Sequence, residues 1–309
     1  MNNKLRGDYL GLLKTIKVGG QAVINGIVMR SQRFTTLACR LKNGQIDVER
    51  FNNKNSNRAF FKMPLVRGVV NFIQMFADGL KYITLSATKT EFYTEEEQNS
   101  LKKEGKFAAA LGACLGVILT MVFFVWLPQT LSAFCLVGQK KWFKLLLETL
   151  LKLVVLIAYM FFISKTKDIK EVFMYHGAEH KTINCYESGK ELTVTEVKTA
   201  SRFHLRCGTN FIFITLLISM LMAIPLNWSN SVRRLILKMC LIPLVVGISY
   251  EIIRLAGKNN NLIFRFLMAP GMWLQRITTC EPNDNQIEVA IAALQDVLDA
   301  ERGREDECS

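Results

Sequence analysis

Residues 143–164 read FKLLLETLLKLVVLIAYMFFIS, and this stretch decides the fold class. It meets the roughly 20 residues that a helix needs to cross the hydrocarbon of a bilayer. Three other blocks share its character: Phe107–Val137 before it, and Phe211–Trp228 and Leu235–Leu255 after it. Pro128 predicts a kink or an end in the first block, and Pro225 sits near the end of the third, which is the shortest. Interruptions such as Lys152, Lys238 and Glu251 fall towards block ends or face neighbouring helices. Half of the 309 residues are hydrophobic. That proportion suits a large soluble domain or a membrane protein, and the gathering into blocks selects the second.

Charge sets the expected topology. The net charge is +13. The short loops after the first and third blocks carry few basic residues, among them Lys140, Lys141, Arg233 and Arg234, whereas the N-terminal region, the 165–210 loop and the tail carry most of the rest. Cytoplasmic segments favour Lys and Arg. Four crossings then put both termini and the central loop in the cytoplasm. The basic excess reads as topology and contact with anionic headgroups. No Arg/Lys run interleaves with aromatics, so no nucleic-acid partner is expected. The first ten residues are polar and of mixed charge, unlike a cleaved signal peptide. Eight scattered cysteines show no disulfide framework and suit a reducing, cytosol-facing setting.

The segments outside the blocks carry local signals. Phe34–Leu41 and Ile46–Phe51 flank Lys42-Asn43-Gly44-Gln45, whose Asn-Gly predicts a hairpin with positive φ angles. Gly19, Gly20 and Gly26 in the preceding apolar stretch predict close backbone approach, to a strand or to a ligand. Pro64 opens a helix on which Arg67, Asn71, Gln74, Asp78 and Lys81 form one polar stripe. That helix is either a core helix with one solvated edge or an interfacial helix with its seam towards a polar cavity. A charged linker spans 91–106. Thr193-Val194-Thr195-Glu196 predicts a capped short helix, Met268–Gly271 a turn, and residues 286–298 an amphipathic helix packed on the cytoplasmic part.

The chemistry concentrates in the 165–210 loop. It holds all three histidines of the chain, His176, His180 and His204. His176 and His180 lie one helical turn apart on one face. His176-x-x-Glu179-His180 has the order of a zinc-hydrolase signature in which two histidines bind metal and the glutamate activates water. His204-x-x-Cys207 offers further ligands, with Gly208 expected to allow a tight turn, and Cys185 and Glu187 are nearby alternates. Histidine, thiolate and carboxylate together suit a divalent metal, zinc above all. Three ligands would leave room for water; four would make the site structural. Polar packing at a membrane surface is the competing account. Arg30, Arg67, Lys181, Arg202 and Arg206 form a candidate surface for an anionic lipid or other anionic substrate, or are basic for topological reasons alone.

These residues carry a resemblance that covers nearly the whole chain. Gly19-Gly20-Gln21-Ala22-Val23-Ile24 with Met29-Arg30, Pro64-Leu65-Val66-Arg67-Gly68, the stretch Tyr175–Glu187, Arg202-Phe203-His204 with Arg206-Cys207-Gly208-Thr209, and Ala269-Pro270-Gly271 with Glu281-Pro282 resemble the YqhQ-like bacterial membrane family, domain of unknown function 1385. The resemblance implies a membrane architecture and a metal-dependent membrane enzyme. Asn25 and Leu205 depart from the family pattern, which carries Glu and Pro there.

The expected architecture is an α-helical polytopic membrane protein of about four spans with a cytoplasmic α+β cap containing a β-hairpin. Its segments are 1–106, 107–164 with two spans, 165–210, 211–255 with two spans, and 256–309. The expected function is a zinc-dependent hydrolase at the cytoplasmic face of the bacterial membrane, with His176, His180 and His204 or Cys207 as ligands and Glu179 as base. The alternative is a non-catalytic scaffold or assembly factor with a structural metal. A transporter is a weaker third reading, because no pair of broken helices marks a midplane site.

Overall fold

The computed structural model describes residues 16–53, 63–90, 111, 114–116, 118–136, 138, 140–226, 231–257 and 261–308. The expected charged linker, the start of the first apolar block and the end of the third lie outside these residues. The described chain is mostly helical, with one N-terminal sheet.

The sheet is an antiparallel meander of β1 (Gly19–Val23), β2 (Gly26–Arg30), β3 (Phe34–Arg40) and β4 (Ile46–Asn52), in that spatial order. The hairpin read at Lys42–Gln45 joins β3 to β4. Gly44 N–H donates to Leu41 O and Leu41 N–H to Gln45 O, each at 2.9 Å. Only Gly44, at φ +84°, takes the left-handed conformation, because the loop is longer than a two-residue turn needing two such residues. The glycine-rich stretch forms a second hairpin, with Ile24-Asn25 as its loop and Asn25 at φ +50°. Asparagine tolerates that conformation better than most side chains. β2 and β3 are buried along nearly their whole length, so neither shows the alternation of a half-buried strand.

Helices cover both faces of the sheet. On one, α1 (Val66–Lys89) sets Tyr82 and Leu85 against Val23, Val28, Leu37, Cys39 and Phe51. On the other, α4 (Lys167–Glu187) and α9 (Asp284–Cys308) enclose Ile27, Met29 and Ala38 with Ala178, Ile183, Ile287, Leu294 and Val297. The tail helix thus packs on the sheet, as its amphipathic pattern requires. Its acidic residues clamp the far strands. Glu301 accepts from Ser31 at 2.6 Å and pairs with Arg33 at 2.5 Å; Asp296 accepts from Thr36 at 2.6 Å and pairs with Arg50 at 2.5 Å.

These clamps make docking of α9 acid-sensitive. Burial raises the Glu301 carboxyl, but hydrogen bonds from Ser31 and Arg33 outweigh it and the net shift is downward. The bond from Arg50 lowers Asp296. A carboxyl depressed in the folded state stabilises above its unfolded value, near pH 4, and the contribution fades as pH falls through the folded value. Melting curves of the wild type are expected to drop steeply below about pH 4. In a Glu301→Gln/Asp296→Asn variant, the same curves begin lower at neutral pH and slope less in acid.

α1 starts later than its sequence suggests. The helix starts at Val66, after a turn in which Leu65 takes φ +68°, so Pro64 precedes it and does not open it. Three members of the polar stripe bond to the protein: Arg67 meets Glu251, Asn71 donates to the Tyr250 hydroxyl at 2.8 Å, and Asp78 pairs with Arg30 at 2.8 Å. The outward face is apolar. Ile73 is 61%, Phe76 63% and Leu80 56% exposed. A helix that turns its polar side inward and a broad apolar side outward has the pattern of a lipid-facing surface.

Among the described residues, three helices are long and apolar enough to cross a membrane: Cys114–Cys135, Lys141–Ile163 and Ile236–Ala256. In the first, a π-helical turn at Met121–Trp126 leads into α2 (Leu127–Cys135). Pro128 therefore does not end the helix; a widened turn accommodates its missing N–H. The second is α3 (Lys141–Ile163), and the third lies in α7 (Ser231–Ala256). Between them, α6 (Gly208–Ala223) is apolar but has only 16 residues.

The ends of α3, α6 and α7 converge. The C-terminus of α3 passes through Ser164–Thr166 into α4, and Cys207 caps the start of α6. Gly257, just past α7, packs on Arg206. Away from that end, Glu148 pairs with Lys238, each seven residues into its helix (Lys141 to Glu148, Ser231 to Lys238). α3 and α7 thus run the same way. The segment Met268–Gly271 is not a turn but lies inside α8 (Leu262–Thr278). Gly271 is needed there for contact, since a Cβ would stand 2.2 Å from Asn210 Oδ1.

Candidate metal centre

The centre is built on α4. Residues 167–187 form one continuous helix because Thr166 ends the preceding turn and Asp168 lies in the first turn, where a carboxylate suits the helix dipole. The helix brings His176 and His180 together with ring centroids 4.4 Å apart. Gly177 between them lets α4 approach the segment after α8, since a Cβ there would stand 2.0 Å from Cys280 O.

Backbone carbonyls orient both rings. His176 Nδ1 meets Thr278 O at 2.8 Å, and His180 Nδ1 meets Arg202 O at 2.7 Å. A carbonyl only accepts, so each Nδ1 carries the proton and each Nε2 keeps its lone pair. The Nε2 atoms face Cys207, whose Sγ lies 3.3 Å from His176 Nε2. All three ligand atoms lie within 4.8 Å of one another. A tetrahedral zinc with Zn–N near 2.0 Å and Zn–S near 2.3 Å separates N from S by about 3.5 Å. The donor set therefore fits a zinc ion. Burial lowers the His180 pKa, which favours the neutral ligating form. The Thr209 hydroxyl lies 3.4 Å from Cys207 Sγ.

Glu179 lies beside the trio and is 5% exposed. Its Oε2 has no hydrogen-bond partner. Burial pushes its carboxyl up to about 7, opposed only by His176. A Cβ at Gly20 would fall 2.7–2.9 Å from its side chain, so the glycine of β1 rests directly on the carboxyl. The close approach read from the glycines is thus realised at Gly20 towards Glu179, and at Gly26 towards Ala38 and Cys39.

His204 stands apart from the trio. Its ring centroid is 5.7 Å from that of His180, and its Nε2 faces Glu187 at 3.4 Å. Gln275, fully buried on α8, fixes the His204 backbone by donating to its carbonyl and accepting from its N–H, both at 2.8 Å. Sequence reading missed Gln275. A lone glutamine in an apolar helix was its only signal. Cys185 is also outside the trio: it is buried in the core, with Sγ 3.5 Å from Glu191 O. Nor does Gly208 make the expected tight turn; it is the first residue of α6, so the close turn is unnecessary.

A family model described as "Protein of unknown function (DUF1385)" matches residues 63–300. The chain belongs to this family. It is also 34% identical over 292 residues to the uncharacterized protein YqhQ of Bacillus subtilis (strain 168), covering 91% of this chain and 92% of that one. No solved structure matches.

In this DUF1385 protein each of the five candidate anion-binding cations has an acidic neighbour. Arg206 pairs with Glu187, Arg30 with Asp78 and Arg67 with Glu251. Hydrogen bonds and charge from His204 and Arg206 outweigh burial and lower the Glu187 carboxyl. Lys181 and Arg202 share Glu281, at 3.0 and 3.7 Å, and the Glu281 side chain is 66% exposed. Lys181 also donates to Lys198 O at 2.9 Å, and Arg202 to Thr279 O at 2.8 Å.

Proposed function

We propose that this protein is a zinc-dependent membrane hydrolase whose centre lies at the cytoplasmic face. One observation carries the reading: two imidazole lone pairs and one sulfur converge, and Glu179, on the same helix between the two histidines, keeps a buried oxygen without a hydrogen-bond partner. Three protein ligands and an open place are the pattern of catalytic zinc. Zinc, when bound there, would lower the pKa of a water and polarise a substrate carbonyl or phosphoryl oxygen. His176, His180 and Cys207 hold the ion in this reading. Glu179 takes the proton of the attacking water and returns it to the leaving group.

The four-crossing topology is part of the proposal. α6 spans about 24 Å, short of a typical hydrocarbon core, and crosses where the bilayer thins around it. The sheet, α4 and α9 then form the cap, and both termini lie in the cytoplasm. The convergence of the α3, α6 and α7 ends at the centre supports this arrangement. The exposed apolar faces of α1 and α8, the latter with Leu262, Ile263 and Phe266, rest in the lipid on either side. An anionic headgroup or other anionic substrate would engage Lys181 and Arg202 by displacing the exposed Glu281.

A structural zinc in a scaffold or assembly factor is the second reading, and the nearness of His204 to His180 favours it, since a swing of His204 would supply a fourth ligand. Glu179→Gln separates the two. A hydrolase variant keeps its zinc while its rate falls by about 10²–10⁴-fold. Comparative mass spectrometry of membranes from cells carrying wild type or variant reads this as accumulated substrate. A scaffold gives identical membranes.

A further inference from the structure

We propose that the outer edge of β1 is the docking strand for an extended polypeptide, which is the substrate of the centre. The assignment rests on the hydrolase reading above.

Among the described residues, β1 ends the sheet and pairs with β2 alone. Its register fixes which groups are spare. Val23 faces Gly26 across the two-residue loop, so this pair exchanges both ladder bonds, as do Gln21 with Val28 and Gly19 with Arg30. Asn25 O accepting from Arg40 N–H at 2.8 Å on the opposite side of β2 agrees with this alternation. Gly20 and Ala22 are the alternate residues, and their N–H and C=O groups point away from the sheet. Such a row templates another strand.

Three features tie this edge to the chemistry. Gly19 and Gly20 are exposed. Gly20 packs directly on the Glu179 carboxyl, and a Cβ there could be accommodated only if one of the two shifted. The Glu179 Oε2 beneath it is buried and unpartnered, and His176 of the metal trio lies one turn before it on α4. A chain laid along Gly20 and Ala22 would make up to four main-chain hydrogen bonds and present its carbonyls beside Glu179. Recognition through the main chain accepts many sequences. Hydrolysis adds the water oxygen to the carbonyl carbon and breaks the C–N bond. Glu179 moves one proton from that water to the departing amine, and the carboxylic acid formed passes the second to it, leaving a carboxylate on one fragment and an ammonium on the other.

The test compares two metal-binding probes on the zinc-loaded, detergent-purified full chain by calorimetry. Acetohydroxamate carries only the chelating group, whereas the hydroxamate of an N-acetylated Leu-Val-Ala tripeptide adds a strand. The tripeptide is expected to bind at least about tenfold more tightly, the gain of a few ladder bonds. Ala22→Pro removes one outward N–H and leaves the β2 ladder whole; with zinc retained, it should erase most of that advantage. Should the variant not fold, N-methylating the peptide backbone must have the same effect on the wild type. Equal affinities for the two probes on zinc-loaded protein overturn this assignment alone, as does an advantage that survives both changes. A chain that takes up no zinc overturns the hydrolase reading and, with it, this assignment.

Discussion

Alanine at both His176 and His180 is expected to empty the metal centre, taking zinc from about one ion per chain to background. The size follows from the donor set. Among the described residues the trio supplies the convergent ligand atoms, and the double variant leaves Cys207 alone. Zinc bound at such sites contributes free energy to folding, so the loss also shows as a lower melting temperature. A second cost is independent of metal. Thr278 O and Arg202 O each lose the imidazole N–H that meets them, at about 1–3 kcal/mol for each carbonyl left buried without a partner. Elemental analysis and thermal melts, run with and without a chelator, separate the two. The wild type melts lower with chelator, and the variant melts at one temperature in both.

Gly177→Ala is expected to cost about 3 kcal/mol or more and to disrupt the centre without touching a ligand. A Cβ at this position would stand 2.0 Å from Cys280 O. Backbone atoms on both sides leave no flexible side chain to yield. Cys280 N–H donates to Phe173 O at 2.9 Å, which holds the segment against α4. Relief therefore requires α4 to move from the end of α8. That movement carries His176 away from Thr278 O, its orienting partner. Zinc affinity should fall together with stability. A melting temperature within a degree of wild type would show that the helices separate more easily than the contacts imply.

Much of this arrangement is legible in the sequence, where local chemistry dictates it. Gly44 marks its hairpin because few other residues adopt its φ. The spacing of His176 and His180 places both rings on one face of any helix. Thr193 accepts from Glu196 N–H at 3.3 Å, as a capping residue should. What escapes the sequence depends on distant partners. The stripe on α1 has helical spacing whichever side faces solvent; Glu251 and Tyr250 turn it inward. The choice of Cys207 over His204 rests on Gln275, 71 residues from His204. Pro270 with Gly271 looks like a turn until Asn210 explains the glycine as a contact. The short α6 also shows why block length alone does not fix the number of crossings.

X-ray absorption at the zinc edge of the purified, zinc-loaded chain tests the central claim most directly. The account predicts two nitrogen ligands near 2.0 Å, one sulfur near 2.3 Å and one further light atom. The sulfur should vanish in Cys207→Ala, and the shell should be unchanged in His204→Ala. A shell without sulfur, or one that loses a nitrogen in His204→Ala, would contradict it.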